Sequence, residues 1–345
     1  MERLIEVEGS SFQRGRMIGE RFKELIKMNV EYYSSIWRKI LGDETEDFAE
    51  SSIPLIKDYD EEIFSEISGV AEGSGLTLEE IVLLNSRYEA LNFVAPEGCT
   101  SFAVLPNACR NGRVLVGQNW DLSREVVGRD IVIIVKREGK PPYITNTEAG
   151  VLAHKGMNSE GIGICFNALK SNVDKLKPCV PMLLILRKLY DSKNLSDLIS
   201  FIQEAERSTS ANFLVAHKDG EAISLEVTPR EIEIITPEEG LLFHTNHFLS
   251  PFLLNRLVDL NRENPDTHIR LMRIKSLLSR RKREIGIEFL MDTLRDHFNW
   301  PESICRHGVS VTIASLIMDL KEARFLLCRG NPCEGKYESL KWWTN

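Results

Sequence analysis

What most constrains this chain is an abrupt change of pattern at Pro96. Before it, apolar residues recur at helical spacing: residues 11–41 carry Met17, Phe22, Ile26, Met28, Tyr32, Ile36 and Ile40 after an entry punctuated by Gly9, Gly15 and Gly19. Residues 60–72 and 78–92 continue the pattern, and Thr77 with Glu80 makes a capping-box start for the last stretch. Beyond Pro96 the chain becomes short β-rich runs at 101–105, 113–118, 131–136, 143–147, 150–155 and 161–166. Turn signals separate them, at Asn111-Gly112, at 139–142 and at 158–161. Helical stretches at 181–192 and 195–206 precede strands at 212–217, 221–227, 231–236 and 241–245. Helices at 251–260, 266–281 and 285–296 lead to a closing hairpin at 309–318 and 323–329. The hairpin loops are too short for parallel crossovers. The expectation is an α+β fold, antiparallel sheets covered by helices, with a helical N-terminal segment before one large layered domain.

Bulk properties narrow the function classes. The chain has 345 residues, 43% of them apolar and 27% charged, as in an ordinary globular protein. A net charge of −8 argues against a nucleic-acid partner. The basic run 279–284 follows a predicted helix, where cations suit the negative end of the dipole. No apolar run reaches the ~20 residues a membrane helix needs, and the first residues lack a secretory pattern. Seven scattered cysteines, an odd number, suit a reducing compartment, so a cytoplasmic location is expected.

The chemistry is carried by Glu97-Gly98-Cys99-Thr100-Ser101-Phe102, where the helical part gives way to strands. A cysteine preceded by glycine at the start of the first strand is what self-processing requires. The thiol attacks the Gly98 carbonyl, the peptide becomes a thioester, and water releases a new N-terminus at Cys99. Gly98 tolerates the strained approach because it has no Cβ. Once cut, Cys99 carries both a nucleophilic thiol and an α-amine that titrates near ~7.7–8.0 and acts as a base near neutral pH. Gly-Cys on its own is an ordinary pair, and most such cysteines are structural.

A wider set of segments changes that reading. They are Glu8-Gly9-Ser10 with Gly15 and Gly19, 69–75, 85–89, Gly98-Cys99-Thr100-Ser101, Gly117-Gln118-Asn119-Trp120-Asp121, Asn246-His247-Phe248, Ser303-Ile304-Cys305-Arg306-His307 and Gly330-Asn331-Pro332-Cys333. In this order and spacing the sequence resembles the acyl-coenzyme A:6-aminopenicillanate acyltransferase family, a branch of the cysteine N-terminal-nucleophile hydrolases. The resemblance implies a four-layer α-β-β-α sandwich, cleavage into residues 1–98 and 99–345 that stay associated, and Cys99 as the nucleophile toward small-molecule amides or acyl thioesters. Hydrolysis of a linear amide is the activity expected first, with acyl transfer open to the same intermediate. Neither a metal nor another cofactor is expected, and oligomeric state is left open.

The same resemblance implies further roles. Asp121 would stand beside the new ammonium, where the bare sequence reads a strand-end aspartate. Asn246 would be an oxyanion donor. Asn167 matches an asparagine near the nucleophile in the related bile-salt hydrolases and penicillin V acylases. Strand-terminal turn formation is the plainer reading of both asparagines. Arg306 aligns with a functional arginine and would favour the thiolate, while Thr100, Ser101 and Trp120 would shape the substrate pocket. Leu122 stands where the family commonly has a second aromatic residue, which alters the expected pocket.

Other readings carry less. Cys305, His307, Cys328 and Cys333 offer a Cys3His zinc set, but Cys-x-His is a tight spacing and Cys328 falls inside an apolar run, so they read as core cysteines. A papain-like pairing of Cys99 with His244 or His247 would place the cysteine on a helix rather than before a strand. Residues 69–75 are glycine-rich, lack the Lys-Ser/Thr of a phosphate loop, and read as a turn between helices. The rival of another class is a non-catalytic binding protein of the same fold that is never cut.

Overall fold

A computed structural model describes residues 3–94 and 98–343 of the chain; Pro96 and Glu97 lie outside them. In order the elements are β1 (Leu4–Val7), α1 (Ser11–Leu41), α2 (Thr45–Tyr59), α3 (Glu61–Ser74), α4 (Leu78–Asn85), α5 (Arg87–Val94), β2 (Gly98–Val104), β3 (Leu115–Ser123), β4 (Asp130–Val135), β5 (Tyr143–Glu148), β6 (Lys155–Asn158) and β7 (Ile162–Ala168). There follow α6 (Met182–Leu189), α7 (Leu195–Glu204), β8 (Ala211–His217), β9 (Glu221–Val227), β10 (Ile232–Ile235), β11 (Leu241–His244), α8 (Pro251–Leu254), α9 (Pro265–Ser279), α10 (Ile287–Leu294), β12 (Ser310–Asp319), β13 (Arg324–Arg329) and β14 (Glu338–Lys341). The fold is α+β. Among the described residues no helix is long and apolar enough to cross a membrane.

The chain forms two compact units, one of residues 1–95, 129–158 and 175–209, the other of 96–128, 159–174 and 210–345. A division after residue 98 is therefore a division of chain, since the N-terminal helices share their unit with two later segments. In the first unit β4, β5 and β6 pair antiparallel. β1, which the hydrophobic pattern did not reveal, adds to β4 in parallel, Leu4 opposite Val132. Four residues bounded by Gly9 carry too little alternation to stand out.

Helices α1 and α3 pack almost backbone to backbone. A Cβ on Gly19 would lie 2.6 Å from the Val70 carbonyl oxygen; one on Gly15 would meet that of Glu66, one on Gly69 that of Phe12 and one on Gly73 that of Arg16. Residues 69–75 are thus not a turn as expected: Gly69 and Gly73 are helical contact positions, and Gly75 alone ends the helix, at φ 68°. The capping box at Thr77 and Glu80 forms as read. Helix α2 went unread because Pro54 sits inside it. The run 150–155 is not a strand: the Asn85 amide donates to the Gly150 carbonyl and accepts from Leu152 N–H, replacing a ladder with one side chain.

In the second unit β7–β10 form an antiparallel four-strand array and β11-β2-β3-β12-β13-β14 an antiparallel six-stranded sheet. One face of the six-stranded sheet meets β7, where Gln118 bonds both the carbonyl and the N–H of Phe166. Its other face is covered by α9 and α10. Phe102, Val104, Phe243, Leu271, Ile274, Leu278, Leu290 and Leu294 bury there, each contributing on the order of 1.5–3 kcal/mol. Helix 251–260 of the sequence reading ends at Leu254, because residues 258 and 260 turn away to bond Asn172 and Lys170.

Candidate active site

Cys99 is the second residue of β2, and alternation along the strand sends its side chain to the same face as Ser101, with Gly98 and Thr100 on the other. Across the β2–β3 ladder Gly98 stands opposite Asp121 and Cys99 opposite Trp120. Asp121 is also paired with Thr312 of β12, next to a bulge, and its Oδ1 accepts from the Thr312 hydroxyl at 2.7 Å. A carboxylate from β3 thus lies beside the Gly98–Cys99 bond because two adjacent ladders put it there.

The face that carries Gly98 is lined with charge. A Cβ on Gly98 would strike the Arg306 guanidinium and lie 3.1 Å from Asp121 Oδ2. Asp121 is fully buried, and its Oδ2 has no hydrogen-bond partner. Burial pushes its carboxyl up to about 6, with Arg306 and Arg270 pulling the other way. Arg306 is ion-paired with Asp266 and Glu302.

Arg270, which sequence reasoning missed, is the guanidinium in contact with the backbone of Cys99. It donates to the Cys99 carbonyl, to Thr100 Oγ1 at 3.1 Å and to Asn246 Oδ1 at 3.0 Å. It is held on α9 by Asp266 one turn earlier, 3.1 Å away, and burial lowers its pKa from the usual arginine value. The signal was present as an Asp-x3-Arg pair on the helix face that also carries Ile274 and Leu278. Nothing in a charge pattern distinguishes such a pair from a surface one.

The two asparagines divide differently from expectation. Asn246, two residues beyond β11, accepts the Cys99 N–H on its Oδ1 at 2.8 Å and spends its Nδ2 on the Ala168 carbonyl at 3.1 Å. Its Oδ1 thus serves the cysteine as an acceptor, while Nδ2 carries a second N–H beside the one given to Ala168. Asn167, near the end of β7, has its Oδ1 fixed by Ser101 Oγ at 2.7 Å and Asn212 Nδ2 at 3.1 Å. Its own Nδ2 is buried with no hydrogen-bond partner, against the strand face that Ser101 shares with Cys99. Thr100 and Ser101 spend their hydroxyls on Arg270 and Asn167, inside the protein, and Trp120 is fully buried. All three lie in the interior beside the site, as Cys99 and Asn167 themselves do.

His244 has both ring nitrogens occupied, by Glu226 Oε1 at 2.8 Å and the Thr245 carbonyl at 2.9 Å. His247 bonds Thr267, and burial with His268 nearby lowers its pKa to about 3. Neither histidine is arranged to serve Cys99 as a papain-like base. No disulfide links the seven cysteines.

A family model described as acyl-coenzyme A:6-aminopenicillanic acid acyl-transferase matches residues 108–334, a span that begins after Gly98–Ser101 and includes Asp121, Asn167, Asn246, Arg270 and Arg306. The 40 kDa form of acyl-coenzyme A:6-aminopenicillanic-acid-acyltransferase from Emericella nidulans is 31% identical over 254 residues, covering 70% of this chain and 66% of its own. Among solved structures, a mutant conjugated bile acid hydrolase from Clostridium perfringens matches at a TM-score of 0.47 and 13% identity, over 71% of this chain and 97% of that one. Penicillin V acylase from Agrobacterium tumefaciens matches at a TM-score of 0.41 and 10% identity, over 67% and 83%. On the family match, which spans more than half of its residues, the chain belongs to the acyl-coenzyme A:6-aminopenicillanic acid acyltransferase family.

Proposed function

We propose that the chain is a self-processing acyl-transfer enzyme that cuts its Gly98–Cys99 bond and then uses Cys99 on small-molecule amides or acyl thioesters. The observation that carries the reading is the treatment of that single bond. Its glycine is backed by Asp121 and Arg306, and its cysteine is held at N–H by Asn246 and at carbonyl by Arg270. In processing, Cys99 Sγ bonds to the Gly98 carbonyl carbon, the C–N bond breaks, and the leaving nitrogen takes a proton to become the α-amine of Cys99. Water then adds to the thioester, giving a Gly98 carboxylate and returning the thiol.

In the mature site Asn246 Oδ1 accepts from the new amine and Asp121 balances its charge when protonated. The substrate carbonyl takes the place of Gly98, and its oxyanion is met by Asn167 Nδ2, the donor the rest of the protein leaves uncommitted. The acyl-enzyme is then resolved by water, giving hydrolysis of a linear amide, or by a bound amine, giving transfer.

Intact mass on freshly purified protein and after long incubation tests the first half. Cleavage yields chains of 98 and 247 residues (345 − 98) from the 39.3 kDa precursor, whereas an uncut precursor is what a non-catalytic relative gives. Acyl-amides and acyl-coenzyme A esters offered with and without an acceptor amine test the second half. Acyl label on the peptide that begins at Cys99 is expected, and label elsewhere overturns the assignment.

A further inference from the structure

We propose that His297, Cys305, His307 and Cys333 hold a structural zinc ion that clamps the turn carrying Arg306. These residues come from two loops: His297, Cys305 and His307 from the connection between α10 and β12, and Cys333 from the loop after β13. One ligand atom from each can be chosen so that all four lie within 4.8 Å of one another. Three of the edges are already short, with Cys305 Sγ 3.4 Å from His307 Nε2 and 3.5 Å from Cys333 Sγ, and Cys333 Sγ 3.4 Å from His307 Nε2. Tetrahedral zinc, with bonds of about 2.3 Å to sulfur and 2.0–2.1 Å to nitrogen, gives edges of roughly 3.3–3.8 Å. The two sulfurs are well beyond the ~2.05 Å of a disulfide. Two thiols and two imidazoles converging from two loops form a donor set suited to zinc and poor for magnesium or calcium.

The surroundings are built for the same end. Asn331 places its Nδ2 3.5 Å from Cys305 Sγ while donating to the Arg306 carbonyl at 2.8 Å, the outer hydrogen bonding that holds ligating sulfurs in place. Cys305 N–H donates to the Asp296 carbonyl and His307 N–H to that of Pro301, so the loop is folded back on itself before any ion enters. Cys328, included when the sequence alone was weighed, is not part of the cluster. It lies on strand β13, and His297 takes its place. Spacing along the chain could not reveal this, because His297 sits eight residues before Cys305 with no regular motif between them. With four protein ligands the ion has no open position and takes no part in acyl chemistry. It fixes the backbone on both sides of Arg306, whose side chain reaches Gly98 and Asp121.

The test reads metal, so its result is independent of whether the Gly98–Cys99 bond is cut. Full-length protein purified without chelators is expected to contain about one zinc per chain by mass spectrometry of the elements. Cobalt exchanged into the same protein should give the intense visible bands of a tetrahedral thiolate centre. Cys333→Ser, at an exposed position, and His297→Ala should each lower zinc occupancy at least tenfold at limiting metal, while Cys328→Ser keeps it. Three outcomes overturn the proposal: protein that binds no zinc even after reconstitution, zinc that survives the Cys305→Ser, Cys333→Ser double substitution, or a native Cys305–Cys333 disulfide in thiol titration.

Discussion

At the scale of single residues, the site is an arrangement of donors and acceptors around one peptide bond, and each assignment has its own signature. Asn167→Ala removes the uncommitted donor and is expected to lower kcat by about 10²–10³ with KM little changed, the usual cost of one oxyanion donor. Self-processing and kcat measured separately should distinguish it from Asn246→Ala, which takes away the acceptor for Cys99 N–H and should slow both steps. Gly98→Ala inserts a Cβ into the Arg306 guanidinium; cleavage followed on denaturing gels should slow by at least about tenfold, provided that circular dichroism shows the fold unchanged. Cys99, Asp121, Asn167, Asn246 and Arg306 could be named from the sequence through its family resemblance, because motif and order survive in one dimension. Arg270 was not, since its importance lies in touching Cys99 from 171 residues away.

At the scale of elements, the helical N-terminal part depends on glycines for a reason the sequence displayed without explaining. Gly15 and Gly19 face Gly69 and Gly73 across the α1–α3 contact, and each Cβ added there would meet a backbone carbonyl. Gly69→Ala is expected to destabilise by about 1–3 kcal/mol or more in urea unfolding, as forced overpacking does. Gly286→Ala, where the nearest atom would be 3.8 Å away, is the control and should change little.

Helix α5 carries a second device, Glu89. Its Oε1 accepts the Met182 N–H at 2.8 Å, and burial pushes the carboxyl up to about 8. Between its ordinary value of 4.5 and about 8 the folded protein keeps a proton that the unfolded chain has lost. Stability therefore falls as pH rises through that window and levels off above it. Glu89→Gln should flatten this dependence, and at pH 8.5 it should unfold later than the parent, by an amount on the order of a few kcal/mol. A parent whose stability does not fall between pH 5 and 8 would contradict the assignment.

At the scale of the whole molecule, cutting after Gly98 is not expected to release the first 98 residues. Their helices share a compact unit with residues 129–158 and 175–209, and β1 is paired in that unit with β4, Arg3 reaching Asp130 at 2.6 Å. Both chains should co-elute in native gel filtration and separate only in denaturant; a small chain lost without denaturant would contradict this. The sequence by itself determined what is local: the switch from helix to strand after Pro96, the capping box at Thr77, the hairpins, and a Gly-Cys bond placed at the head of a strand. These follow from periodicity and turn chemistry, which act over a few residues. Tertiary structure alone decided that β1 joins a sheet in parallel and that Arg270 rather than Arg306 holds Cys99. It also turned Asn246 to the cysteine as an acceptor and left Asn167 its donor, and it gathered His297 with Cys305, His307 and Cys333. Each of these depends on which atoms meet across long stretches of chain, and pairing of that kind leaves no period in a single sequence.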